Sequence, residues 1–201
     1  MKAKRLLSPV IMLLLATLIM AVIPTEAEGA VYGDTLRLHI PANSDTEADQ
    51  KIKLEIRDKI LGKYSADLSR FSSANEAAEE LSKFTEEVES DVCLWLSEGG
   101  FDYGCTVTVC EEWFDTREYD GITLPAGEYR ALKVTLGEGC GQNWWCVMYP
   151  PMCLGVATST PQVIPEYSDA EYRLVKSGRY SVRFKILEII SECCREVSKK
   201  G

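Results

Sequence analysis

The chain has 201 residues, 46% of them hydrophobic, with 22 Lys+Arg against 31 Asp+Glu and a net charge of −9. Without residues 1–27, which hold Lys2, Lys4, Arg5 and Glu26, the net charge becomes −11. An acidic body of that kind argues against nucleic acid or an anionic lipid surface as a partner.

From the amino terminus, Lys2, Lys4 and Arg5 precede an apolar run from Leu6 to Ile23, then Pro24 and T-E-A-E-G-A. A basic region, an apolar region and small residues in that order read as an export signal. Cleavage is expected after Ala27, with Ala27-Glu28-Gly29 offering a cut two residues later. The run holds roughly eighteen residues against the twenty or so that span a bilayer, so an uncleaved anchor stays open. The organisation expected is residues 1–27 as signal peptide or signal anchor, 28–35 as a polar connection, and 36–201 as a single exported domain. A body of that length is enough for one sizeable core.

Leu36 to Ile40 alternates as L-R-L-H-I, a short strand ended by Pro41. Ser44 with Glu47 forms a capping-box pattern, so a helix is expected from about Asp45, with Ile52, Ile56 and Ile60 as its apolar stripe and its end near Gly62. Ser73 and Glu76 repeat the pattern before Ala77, Leu81, Phe84, Val88, Val92 and Trp95 at helical spacing, stopped by Gly99-Gly100. The acidic run Glu79, Glu80, Glu86, Glu87 falls mostly off that stripe and reads as a solvated face. From Tyr103 the period becomes two: C-T-V-T-V-C-E is a strand, and L-P-A-G-E-Y turns into a second over Tyr129 to Leu136. Trp144 to Met148 is a third. Residues 156–178 read as a surface connection, and Val182 to Val197 as a closing helix. The class expected is α+β, a small antiparallel sheet packed with about three helices behind the export signal.

The segment from Gly137 to Cys153, G-E-G-C-G-Q-N-W-W-C-V-M-Y-P-P-M-C, concentrates two of the four tryptophans and three of the eight cysteines. Adjacent tryptophans on a strand point to opposite faces, so one of Trp144 and Trp145 can anchor a core while the other faces a surface or cleft. Pro150 and Pro151 end the strand. Cys146 and Cys153, either side of that turn, are the first choice of disulfide pair; Cys105 and Cys110 face opposite ways and should not pair. Several buried free thiols are the alternative. With no C-x-x-C and His39 the only histidine, neither a metal site nor a cofactor is expected.

The chain carries no G-x-S-x-G, no P-loop and no H-E-x-x-H. One catalytic set can be assembled on paper: Cys146 as nucleophile, His39 as base, and Asn43 or Asp45 orienting the ring. It would make an exported hydrolase acting on peptide or cell-wall material.

Four strings, in two segments of the chain, carry a resemblance. R-L-H-I-P-A-N-S-D over 37–45, with D-Q-K-I-K-L-E-I-R-D over 49–58, is similar to the amino-terminal motif of the stage II sporulation protein R family. L-P-A-G-E-Y-R-A-L-K-V-T-L-G over 124–137 and G-Q-N-W-W-C-V-M-Y-P-P-M-C over 141–153 resemble its second half. The resemblance implies no enzyme but a signal in endospore formation. Such a protein is exported from the forespore into the space between the forespore and mother-cell membranes. There it activates a membrane-embedded aspartic protease of the mother cell, which removes the pro-sequence of sigma-E. Its only tie to a membrane would be the N-terminal segment. Contact with the protease is then expected from Arg37, His39, Asn43, Asp45, Asn143, Trp144, Trp145, Pro150 and Pro151. For each of these residues a purely structural role competes with recognition.

Overall fold

In the structure, a computed structural model, residues 26–68, 70–119 and 122–150 are described, together with 9, 11–13, 15–17 and 175. From Glu26 on, the elements run α1 (Glu26–Gly33), β1 (Leu36–Pro41), α2 (Glu47–Leu68), α3 (Ala74–Lys83), α4 (Thr85–Glu98), β2 (Cys105–Phe114), β3 (Arg117–Tyr119), β4 (Ile122–Leu124), β5 (Gly127–Leu136) and β6 (Asn143–Tyr149). Two compact units are distinguished. Among the described residues, one comprises those of Val31–Phe114 and Glu128–Pro150; the other comprises those before Val31 and those of Asp115–Gly127, with Val175.

The first unit contains a four-stranded sheet in the order β2-β5-β1-β6. Here the α+β class holds, but the sheet is mixed rather than antiparallel. β1 runs parallel to β5, pairing Leu38 with Leu132 and His39 with Lys133, and antiparallel to β6, pairing Leu38 with Cys146 and His39 with Trp145. Three helices and the strands β2, β3 and β4 lie between β1 and β5 in the chain, a crossover long enough to bring it back in the same direction. All six residues of β1 are buried. Its period of two sends Leu36, Leu38 and Ile40 to one face and Arg37 and His39 to the other.

The helix caps differ in detail from the sequence expectation. α2 begins at Glu47 because Thr46, not Ser44, takes the capping role: its Oγ1 accepts from Asp49 N at 3.3 Å, and its carbonyl accepts from Gln50 N at 3.0 Å. Ser44 Oγ instead donates to the Asp49 carboxylate. The helix then runs through Gly62 to Leu68, since Ile60, Leu61, Tyr64 and Leu68 keep burying its apolar side and packing overrides glycine's weak propensity. At α3 the Ser73 half of the expected box is present, Ser73 Oγ accepting from Glu76 N at 3.2 Å, while Glu76 reaches back one residue further, to Ser72 N at 3.1 Å.

The single helix expected after Ser73 is broken at Phe84 (φ −108°, ψ 9°), whose N–H bonds Leu81 O at 3.0 Å while its carbonyl starts α4. The break lets Ala77, Ala78 and Leu81 bury in α3, and Val88, Val92 and Leu96 bury independently in α4. The connection expected to be polar over 28–35 is helical as far as Gly33.

The second unit contains a hairpin that the sequence reading missed, β3 against β4, with Arg117 opposite Leu124 and Tyr119 opposite Ile122. Thr116 Oγ1 accepts from Ala126 N at 3.2 Å just outside it. Among the described residues no helix is long and apolar enough to cross a membrane. Pro151, Cys153, the connection over 156–178 and the closing helix of Val182 to Val197 lie outside the described residues.

Candidate functional site

The sheet face that carries Arg37 and His39 gathers residues from four strands. On β2, Cys110, Glu112 and Phe114 share it by their spacing of two; on β5, Tyr129, Ala131 and Lys133 do; on β6, Asn143, Trp145 and Val147 do. Across it runs a continuous polar chain. Lys133 Nζ donates to Glu112 Oε1 at 2.7 Å, His39 Nδ1 donates to Glu112 Oε2 at 2.7 Å, and His39 Nε2 stands 2.9 Å from Asn143 Oδ1. The histidine is 4% exposed, whereas Asn143 is exposed at the open end of the chain. In either orientation of its amide Asn143 presents a polar atom to Nε2, so both ring nitrogens are engaged.

Burial pushes the Glu112 carboxyl up, but hydrogen bonds and charge from His39 and Lys133 outweigh it and hold the group below its ordinary value. Aromatic rings enclose the chain. Trp145 stacks on His39 with centroids 3.6 Å apart and an interplanar angle of 12°, and Phe114 meets Trp145 edge-on at 4.8 Å. Next to them the Arg37 guanidinium, fully buried, lies 4.1 Å from the Phe114 centroid and 4.9 Å from that of Tyr129. Ring faces are among the few surroundings that favour a buried cation.

Trp144 points the other way. It pairs with Ile40, on the face covered by α2, and its ring lies 4.3 Å from the Arg57 guanidinium carbon. The opposite facing of the two tryptophans is thus as their adjacency dictates. Each is half-buried rather than one being core and the other surface.

Asn43 and Asp45 are drawn into a different assembly, the junction of the β1–α2 loop with residues 137–142. Asn43 Oδ1 accepts from Glu138 N at 3.1 Å, Asn43 Nδ2 donates to Asp49 at 3.1 Å, and Asp45 Oδ1 accepts from Gln142 N at 2.7 Å. Lys53, 4% exposed, donates to Gln142 O at 2.8 Å, and burial lowers its ammonium below the ordinary value. Asp49 is the hub. Burial raises its carboxyl, yet donors from Ser44, Tyr103, Asn43 and Thr46 bring it below normal. The loops touch so closely that a Cβ on Gly141 would stand 2.3 Å from Ser44 O.

The site residues expected from sequence therefore divide. Arg37, His39, Asn143 and Trp145 come together on one face; Trp144 lies on the other; Asn43 and Asp45 belong to the loop junction. Pro150 follows β6 through a cis peptide bond after Tyr149, and Pro151 is outside the described residues.

The paper assembly of Cys146 with His39 is not formed. Cys146 pairs with Leu38, so parity sends it to the face opposite His39, and both ring nitrogens are engaged elsewhere. The Cys146 sulfur is moreover in a disulfide whose other half lies outside the described residues, as does Cys153, the expected partner. Cys93, Cys105, Cys110 and Cys140 are free thiols. Among the described residues, no group of three or more His, Cys, Asp or Glu side chains could hold a metal ion.

Sequence reasoning missed Glu112, Lys133, Phe114 and Tyr129. A signal was present for Phe114 and Tyr129, apolar rings at buried strand positions. Lys133, however, stands half-buried between buried Leu132 and Val134, against the alternation read from sequence, and its pairing with Glu112 shows only in the fold.

The family described as stage II sporulation protein R matches residues 33–159. The chain is 32% identical over 148 residues to stage II sporulation protein R of Bacillus subtilis (strain 168), covering 73% of this chain. The aligned part spans 66% of that relative's length, just under two thirds. No solved structure matches.

Proposed function

This chain belongs to the stage II sporulation protein R family, and on that premise we propose that it is an exported signal activating a membrane-embedded aspartic protease of the mother cell. Activation leads to removal of the pro-sequence of sigma-E. The protein acts from the space between the forespore and mother-cell membranes, and meets a membrane itself only through its N-terminal segment. The observation that carries the reading is the family match across the whole of the four-stranded sheet and both loop motifs.

The geometry adds a division of labour. A ligand switches its receptor only by binding the active state more tightly, and moving 1:99 to 99:1 takes about 5.5 kcal/mol of differential affinity. Contacts of that kind need accessible, rigid side chains. Asn143, Trp144 and Trp145 are accessible on β6, the sheet's edge strand, and Trp145 is held flat by His39. Arg37 and His39 are buried and act as the support behind it. Asn43 and Asp45 fix the loop that leads into β6.

Co-expression with the protease and its precursor substrate tests the reading. Precursor conversion is expected only when both proteins are present, and conversion independent of this chain would overturn the proposal. Of Trp144→Ala and Trp145→Ala, at least one is expected to keep a native melting transition and yet fail to trigger conversion.

A further inference from the structure

Away from that face, α4 and β2 bring two free sulfurs together. Cys93 Sγ and Cys105 Sγ are 3.3 Å apart, inside the separation of ordinary non-bonded sulfurs, and both residues are half-buried. Their approach is built into the local fold. Glu89 stands one turn before Cys93 on α4, and its carboxylate accepts from Val107 N of β2 at 2.9 Å. Its backbone carbonyl accepts from Cys105 Sγ at 3.5 Å. Cys105 and Val107 share one side of β2, so this single helical turn holds the strand at two points around the sulfur pair. The Gly99-Gly100 reversal, with Gly100 at φ +81°, turns the chain back from α4 toward β2, and Gly104 passes close to the pair, a Cβ there standing 3.9 Å from Cys93 Sγ.

We propose that Cys93 and Cys105 are a dithiol site that a disulfide donor, a small disulfide or a thiol–disulfide exchange protein, oxidises to a bond joining α4 to β2. The inference rests on this geometry and not on the signalling reading. In the first step the Cys93 thiolate attacks one sulfur of the donor; the donor's S–S bond breaks, a mixed disulfide forms and one donor thiolate leaves. In the second, the Cys105 thiolate attacks Cys93 Sγ, the Cys93–Cys105 bond forms and the second donor thiolate leaves. Two electrons pass from the cysteines to the donor, and the two cysteine protons are taken up by the departing thiolates. Burial pushes the Cys105 thiol up, with Cys93 and Glu89 adding to the effect.

The test treats the purified full chain with oxidised glutathione under native conditions, alkylates the remaining thiols and maps the peptides by mass. No Lys or Arg lies between the two cysteines, so cleavage after Glu98 is needed to part them. A Cys93–Cys105 linked pair is expected as the main new product. Closing this short loop is expected to raise the thermal midpoint by about 5–10 °C relative to protein in which the two remain thiols. Cys93→Ser and Cys105→Ser should each lose that increment, whereas Cys110→Ser and Cys140→Ser should keep it. Recovery of Cys93 and Cys105 both alkylated, or each joined to a different sulfur, from protein with an unchanged circular-dichroism spectrum would overturn the proposal. The peptide map of the unsubstituted chain decides even where a serine variant fails to fold.

Discussion

Glu112 is where opposing electrostatic effects meet: desolvation favours its neutral form, and the His39 and Lys133 donors favour its anion more strongly. A carboxyl that binds its proton less tightly when folded than when unfolded stabilises the fold above the ordinary carboxylate range. That contribution is lost as the pH falls through the lowered native value. Glu112→Gln should therefore cost about 1–2 kcal/mol at pH 7, from weakened charge-assisted bonds to two donors. The gap should close in acid. Asp49 is also held low, but it is present in both proteins and cancels from the difference. Urea unfolding of the two proteins across pH 7 to the acid range measures the gap, and a gap independent of pH would rule the account out.

Glycines separate two roles at the level of elements. Gly62 sits within α2, where an added Cβ meets nothing within 4 Å, so its flexibility has no structural use in the folded state. Gly62→Ala should stabilise the protein by about 0.5–1 kcal/mol, through helix propensity and a less flexible unfolded chain. Gly141→Ala should do the reverse. Its Cβ would stand 2.3 Å from Ser44 O, a backbone atom that cannot move without disturbing the Asp45 and Lys53 contacts to Gln142. A loss of about 2 kcal/mol or more is expected, in line with overpacking of a rigid contact. Gly137 adds a positive φ of 52° to a Cβ position 2.1 Å from Asn43 Oδ1 and should behave like Gly141. Denaturant midpoints of the three variants check the order; equal effects would mean that the loop junction yields more easily than its geometry implies.

For the whole molecule, the expectation is that residues 1–27 deliver the body and take no part in recognition, since the matched family region begins at residue 33. Replacing them with an unrelated cleavable export signal should preserve conversion of the sigma-E precursor, and deleting them should abolish it. Conversion driven by the deleted form, retained in the cytoplasm, would sink the compartment assignment. The test reads precursor and product by immunoblot, with protein abundance followed alongside.

Much of this protein was legible in its sequence because the signals are local. Period two fixed β1, β2, β5 and β6; the Ser73–Glu76 box fixed the start of α3; and adjacency alone dictated that Trp144 and Trp145 face opposite ways. The strings around Arg37–Asp45 and Gly141–Cys153 carried the family. Tertiary structure decided what depends on separations the chain does not encode locally. The parallel pairing of β1 with β5 follows from the crossover between them, and strand parity across β1 and β6 placed Cys146 on the face away from His39. The ion chain from Lys133 through Glu112 and His39 to Asn143 joins residues as far as 104 positions apart, and Cys93 meets Cys105 only because α4 packs along β2. Local spacing determines which way a side chain points from its own strand or helix, but the partner it meets there is set by how the elements register and pack.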